Sequence, residues 1–406
     1  MMRNSSPAFA VVAIAASLCS APARADRGRD GARDAVKLIK TIPVPGLGVF
    51  DISWVDPATQ LYYLADRSNK VIDVVDAERD VLVRRIQGNF KGFTGNNDTS
   101  GPNGVVVSGH WLFVTDAPSR IVTIDLRTDK IVSEVSTGGA TGLRADELAF
   151  DPVDNLLLPV NNADDPPFAT LIKVDPHSGK LSVVTRITFE NATNGAEQPV
   201  FNRSTGKFYI SIPELNGVTS DGAVGVISTT GVLETELPVK FCQPAGLALG
   251  PRNDLLLGCS QVFDTAGKPF TAADKNAAAP TQIIMDASGA IDAVVAGVGG
   301  SDEVWFNPGD GRFYTASRNN PGSPVLGVID ARTQELVQVT PTFNSPASAP
   351  PPRGTSHSVA VNPRNNHIFV PLPPNNVFAA PTSDPSANCL KGCIAVFAAP
   401  DDGDRN

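Results

Sequence analysis

Histidine and basic charge are both scarce in this chain, with 4 His in 406 residues and 33 Lys and Arg against 42 Asp and Glu. A net charge of −9 lacks the clustered cations through which nucleic acid is neutralised and held. No apolar run approaches the roughly 18 residues of a membrane-spanning helix, so no membrane span is expected. G-x-S-x-G elbows, HExxH pairs, EF-hand loops and glycine-rich phosphate loops are all missing, which removes the usual grounds for expecting a nucleotide or a standard hydrolytic centre. Cys389-Leu390-Lys391-Gly392-Cys393 is followed by Ile394 rather than His, and its spacing is wider than C-x-x-C. Covalent haem is therefore not expected.

What is present begins with an export signal. Arg3, an apolar segment from Ala8 to Leu18 and the small-residue sequence Ala21-Pro22-Ala23-Arg24-Ala25 match a secretory leader cleaved after Ala25. Its removal takes away Arg3 and Arg24 and no acid, so the charge moves from −9 to −11. Residues 26–34 then read as a flexible N-terminal segment. Of 5 cysteines, Cys242, Cys259, Cys389 and Cys393 remain, and an even count in a periplasmic or secreted protein favours disulfides.

The rest of the chain repeats. Strand, tight polar turn and strand recur at 50–66, 102–116, 146–162, 198–212, 244–260, 302–317 and 357–371, with Asp-Pro, Asn-Pro, Gly-Pro or Ser-Gly breaking the paired β-rich runs. A third and usually a fourth run follow each pair, as in "KVIDVVDAERDVLVRRI" and "VLGVIDARTQELVQVT". Four antiparallel strands repeating every 40 to 60 residues or so predict an all-β, seven-bladed β-propeller. The seventh unit stops after "CIAVFAAP", whereas "AVKLIKTIPVPG" (35–46) precedes the first unit without a blade of its own. That segment is expected to complete the last blade, so that 35–400 form one ring and 401–406 a disordered tail. Closure leaves no blade edge unpaired.

"LYYLADRSNKVIDVVDAERDVLVRRI" (61–86) and, less closely, "WLFVTDAPSRIVTIDLRTDKIVSEV" (111–135) resemble the YVTN-type repeat of YncE-like periplasmic and surface-layer propellers. Ala65-Asp66 and Thr115-Asp116 stand where that family usually has Thr-Asn. The resemblance implies the fold and an extracytoplasmic setting. It implies little chemistry, because these propellers share no catalytic set.

With strands lettered a to d from the axis outward, the a-b and c-d turns are short throughout. All long segments fall among the b-c and d-a connections: 88–102, 161–169, 213–222, 261–280, 318–324, 342–356 and 373–393. Binding groups concentrate on long loops held by a rigid scaffold, so this face is the expected site for a small molecule or protein partner, on a monomer. Cys242 and Cys259 flank the "GPRND" turn and are the leading disulfide pair, with Cys389 and Cys393 clamping the last long loop. Four cysteines allow three pairings, and the other two stay open.

The first residues of strand a should converge on the channel mouth: Asp51, Asn103, Asp146 with Glu147, Glu197 with Gln198, Gln243, Asp302 with Glu303, and His357. Polar groups there are expected of any water-filled channel and of strand starts that need backbone partners. Converging carboxylates also commonly hold a divalent cation or have raised pKa values. Asp146, Glu147, Glu197, Asp302 and Glu303 form the candidate metal set, and oxygen ligands with one His suit calcium or magnesium. Asp51, Asn103, Glu147, Gln198, Gln243, Arg318 and Arg353 are the candidate ligand-binding groups. Arg67, Arg318 and Arg353 could meet an anion, although solvated loop charges are the plainer expectation. Phe90, Phe93, Phe168, Phe263, Phe270 and Phe378 either line a cleft or pin the loops. The alternative to a binding propeller is a metal-dependent hydrolase or lyase of lactonase type, with Asp302, Glu303 or His357 as its catalytic group. Asn161, Asn162, Asp164 and Asp165 read as an Asx-rich loop outside the mouth.

Overall fold

The computed structural model describes residues 35–270, 279–342, 357–374, 389 and 391–399. The leader at 1–25, the 26–34 segment, Arg353, Phe378 and the 401–406 tail lie outside the described residues.

Tight turns repeat with the same chemistry from blade to blade. At the a-b turns, Asp56, Asp151, Asn202, Asn307 and Asn362 each accept a hydrogen bond from the backbone N–H two residues on, at 2.7 to 3.1 Å. Four residues after each Asx comes a left-handed residue: Gln60, Asn155, Gly206, Gly311 and Asn366, with φ between 52° and 70°. The side-chain carbonyl stands in for a backbone acceptor and the left-handed residue returns the chain into strand b. Such a turn needs no outside support, which is why it is legible as sequence.

The strands form seven sheets of four antiparallel strands. Strands b and c are buried on both faces, as in Leu61–Asp66 and Trp111–Asp116. Outer strands alternate, as Lys130–Ser136 and Glu335–Pro341 do. This follows from blades packing face to face, with only the rim strand meeting water. Seven hydrophobic clusters fill the seven blade interfaces, one each. The cluster joining the last blade to the first contains Ile42, Val44, Tyr62, Leu64, Phe369 and Val396, so the ring is packed at its closure as elsewhere.

Closure is made by Lys37–Pro43, which pairs antiparallel with Cys393–Ala398 from Lys37 opposite Ala398 to Pro43 opposite Cys393. The last blade thus takes its outer strand from the start of the propeller. Both expected disulfides are formed, Cys242 to Cys259 with a Cα–Cα distance of 5.2 Å and Cys389 to Cys393 at 4.9 Å. Among the described residues no helix is long and apolar enough to cross a membrane.

Candidate functional site

In five blades the innermost strand is preceded by a polar residue whose backbone N–H bonds strand b. Asp51, Asn103, Asp146, Glu197 and Asp302 donate to Ala65, Thr115, Val160, Ser211 and Ala316 at 2.7 to 3.0 Å. A second register mark runs between blades, where Ile52, Gln198 and Glu303 donate to the carbonyls of Asn103, Ala245 and His357. That mark assigns the fifth blade's mouth position to Ala245 and Gly246. Gln243 stands two residues ahead, beyond irregularities in strand pairing, and its amide donates to the Thr219 carbonyl at 2.9 Å. The expected polar contribution of every blade therefore fails at one. A Cβ on Gly246 would sit 2.0 Å from the Asp302 carbonyl oxygen, which explains the small residue there.

Asp51, Asp146, Asp302 and His357 form one ionic network with Arg67, Arg144 and Arg318. His357 lies between two carboxylates, with Nε2 2.6 Å from Asp51 Oδ1 and Nδ1 2.6 Å from Asp302 Oδ2. Arg318 reaches the same Asp302 oxygen at 2.7 Å. On the other side of Asp51, Arg67 pairs with its Oδ2 and donates from Nε to Asn103 Oδ1 at 2.9 Å. Arg144 spans Asp51 at 3.5 Å and Asp146 at 2.5 Å. Arg67 is only 2% exposed, so the expectation of a solvated loop charge is overturned for it. Arg144 had no signature in the sequence; it is held because its backbone N–H bonds the Asp98 carbonyl and because Asn162 accepts from its Nε at 3.3 Å. Asn162 also approaches Glu197 at 3.4 Å, so the Asx-rich loop touches the mouth after all. Asn161 is buried in that loop, bonded to Thr137, Ser119 and the Arg144 carbonyl.

Charge is matched unevenly. Asp51, Asp146 and Asp302 take all four cations, whereas Glu147, Glu197 and Glu303 have none within ion-pair distance among the described residues. Burial would raise Asp51, but Arg67, His357 and Arg144 hold it well below the carboxylate range. Asp302, against the same cost of burial, is lowered to about 2 by Arg318 and His357. Burial and Arg318 oppose the proton on His357, yet Asp302 and Asp51 raise it to about 9. Burial pushes Asp146 up to about 7, Arg144 opposing and Asp51 adding. Glu197 rises to about 8 through desolvation and the charges of Asp146 and Asp302. Glu303 also rises to about 8, chiefly by burial. Glu147 is raised well above its ordinary value by burial and by the facing Glu303. Glu147 and Glu303 form a buried carboxyl pair in which the protonated Glu147 donates a hydrogen bond to Glu303.

Among the described residues no three His, Cys, Asp or Glu side chains are grouped to hold a metal ion. The donor set explains this, since guanidinium groups interleave the aspartates. The loop aromatics act mostly as pins: Phe90, Phe168 and Phe263 are buried, and Arg186 stacks on Phe168 at 3.9 Å. His367 bonds Asp80 at 2.9 Å, away from the mouth.

Beneath this network the channel widens into a cavity of about 450 Å³, lined by the innermost strands of six blades. Its wall is apolar, with Trp54, Phe150, Phe201, Trp305 and Phe306 among the lining residues, and Glu147 and Gln198 stand at its inner end. The lining continues to Pro152 and Arg203, both exposed in a-b turns, so the cavity reaches the short-turn face. At the other end Asp51, Arg67, Asn103, Asp146, Glu147 and Glu303 are all buried. Arg318, Glu197, Asn162 and His357 of that network keep partial contact with water.

No family model matches this chain, and no curated protein sequence matches it. A solved structure of hydrazine synthase from Kuenenia stuttgartiensis is similar in fold, with a TM-score of 0.62 and 12% identity, covering 87% of this chain and 96% of that one. At that identity the likeness concerns the fold alone. The YVTN and YncE-like resemblance is accordingly supported as a seven-bladed propeller and no further.

Proposed function

We propose that this protein is an exported small-molecule-binding propeller whose ligand enters the axial cavity from the short-turn face. One observation carries the reading: a half-open apolar cavity of about 450 Å³ ends inward on buried polar groups. Ligand pockets are commonly concave, mainly apolar, roughly 300 to 1,000 Å³ in volume and equipped with a few convergent polar groups. The leader sequence and the two disulfides support export.

On this reading the mouth network is a structural plug. It ties blades six, seven, one, two and three together across the axis and closes the channel on the long-loop side. Asp51, Asn103, Asp302, Arg318 and His357 then serve the scaffold rather than a ligand on that face. Of the candidate metal set, Asp146 is already engaged by Arg144 and Asp302 by Arg318 and His357, so a cation for hydrolase or lyase chemistry would have to rest on Glu147, Glu197 and Glu303.

Titration of the full chain with the neutral apolar fluorophore N-phenyl-1-naphthylamine tests the site. Saturable binding at one molecule per chain is expected, and it should be lost in Val200→Trp and Leu249→Trp, which fill the cavity from its partly exposed wall. Binding that survives both substitutions in folded protein would sink the assignment.

A further inference from the structure

The two ends of the cavity differ in chemistry. At the inner end both polar side chains are already engaged. Glu147 donates to Glu303 in the buried carboxyl pair, while Gln198 donates from Nε2 to Glu303 at 3.1 Å and accepts at Oε1 from the Leu247 N–H at 2.6 Å. Burial holds both glutamates protonated at neutral pH, so no charge stands at that end.

At the exposed rim the lining carries one charge, on Arg203 in the a-b turn of the fourth blade. Other turn arginines on this face pair with an aspartate of their own turn, as Arg127 does with Asp125 and Arg252 with Asp254, each at 2.8 Å. The fourth blade instead has Asn202 as its Asx residue, which accepts from the Ser204 N–H at 2.9 Å and offers no charge. Among the described residues Arg203 has no carboxylate within ion-pair distance. Between the two ends the strand from Gln198 to Arg203 carries an apolar wall for about 15 Å at roughly 3.3 Å per residue.

A ligand's polar group gains nothing at the inner end, where it would leave water for groups that are already satisfied. At the rim the same group keeps part of its hydration and meets a guanidinium with five donors and no partner. A cationic head would be repelled there, and a wholly apolar molecule would leave Arg203 as it is. A carboxylate matches the planar fork through two parallel hydrogen bonds.

We infer that the cavity takes an apolar molecule ending in a carboxylate, seated tail first, with the carboxylate on Arg203 at the short-turn rim. This rests on the cavity being the binding site. The walls choose length and polarity, and Arg203 chooses the sign of the head group.

Displacement of N-phenyl-1-naphthylamine from the full chain by dodecanoate, dodecanol and dodecylamine, each below its micellar concentration and at low ionic strength, tests the inference. Dodecanoate should act at about fivefold lower concentration than dodecanol, with dodecylamine the weakest, and Arg203→Gln should erase the gap between acid and alcohol. The net charge of −9 favours the amine at long range, so a preference for the acid reports a local cation. Arg203 is exposed in its turn, so the variant should fold. Equal action of acid and alcohol, a preference for the amine, or a gap that survives Arg203→Gln overturns the carboxylate inference. So does failure of all three to displace a bound fluorophore. The cavity reading survives each of these results provided that Val200→Trp abolishes fluorophore binding, whereas no saturable fluorophore binding at all overturns both.

Discussion

His357 offers a quantitative test of the ionic plug. Its imidazole is clasped by Asp51 and Asp302 at 2.6 Å on either side, and these carboxylates raise its pKa from 6.5 to about 9. At ~1.36 kcal/mol per pH unit, that difference corresponds to about 3 kcal/mol of folding stability carried by the proton. The group is more basic when folded than when unfolded. Its contribution is therefore complete below pH 6.5 and disappears as the pH rises through 9. Urea unfolding of wild type and His357→Gln from pH 5.5 to 10 should show a gap that is flat at the acid end and narrows by about 3 kcal/mol at the alkaline end. Glu303, raised to about 8, titrates in the same window and is acted on by His357, so the comparison belongs in a Glu303→Gln background. The His357 proton resonance, identified by its absence in the variant, should titrate near pH 9. A gap independent of pH would refute the reasoning, since His357 would then matter only as packing. A gap that widens with pH would refute it more directly.

Arg67→Met should destabilise the protein by about 3 kcal/mol in urea unfolding, because it removes the guanidinium on Asp51 Oδ2 and leaves that buried carboxylate to His357 and the longer Arg144 contact; adding Asp51→Asn should recover part of the loss. Full additivity of the two substitutions would show that no coupling exists. Glu197 is raised from 4.5 to about 8, so its titration removes stability as the pH climbs from 4.5 through 8. Melting temperatures should therefore favour Glu197→Gln over wild type at pH 9 and not at pH 4; the opposite ordering would contradict the assignment. Replacing Cys242 and Cys259 together by Ser opens a crosslink spanning 17 residues, and thermal melts should register a loss of about 3 kcal/mol. Reduction of wild type, which also opens Cys389–Cys393, should cost at least as much, and no loss in either case would mean that strand pairing alone holds that edge.

The plug and the cavity differ in how far the sequence announces them. Asx turns such as "DPAT" and "DPVD" are local, with acceptor and donor two residues apart, so their chemistry is written contiguously. The strand at 37–43 could be assigned to the last blade because the count of strands was one short there. Cys242 and Cys259 could be paired because one hairpin brings them together. Mouth residues were found where they open strand a, as with Asp51, Asp146 and Asp302. Gln243 departs from that pattern, because irregular pairing in the fifth blade shifts the axial position to Ala245 and Gly246. Arg144 gave no signal at all. Its value lies in meeting Asp51, 93 residues away, and a lone Arg before an Ala carries no mark of that.

By itself, then, the sequence determined the number of blades, the order of strands within them and the point of ring closure, and it favoured one disulfide pairing over two others. Each depends on backbone periodicity, turns or contacts within one hairpin. Which carboxylates are neutralised, which end of the channel is closed and where a cavity remains were decided only by the ring. His357 meets Asp51 across a separation of 306 residues, and the glutamates are left without a cation because the cations settle on the aspartates instead. Such choices depend on distances of a few ångströms between blades, and nothing in a strand's alternation of apolar and polar residues encodes them.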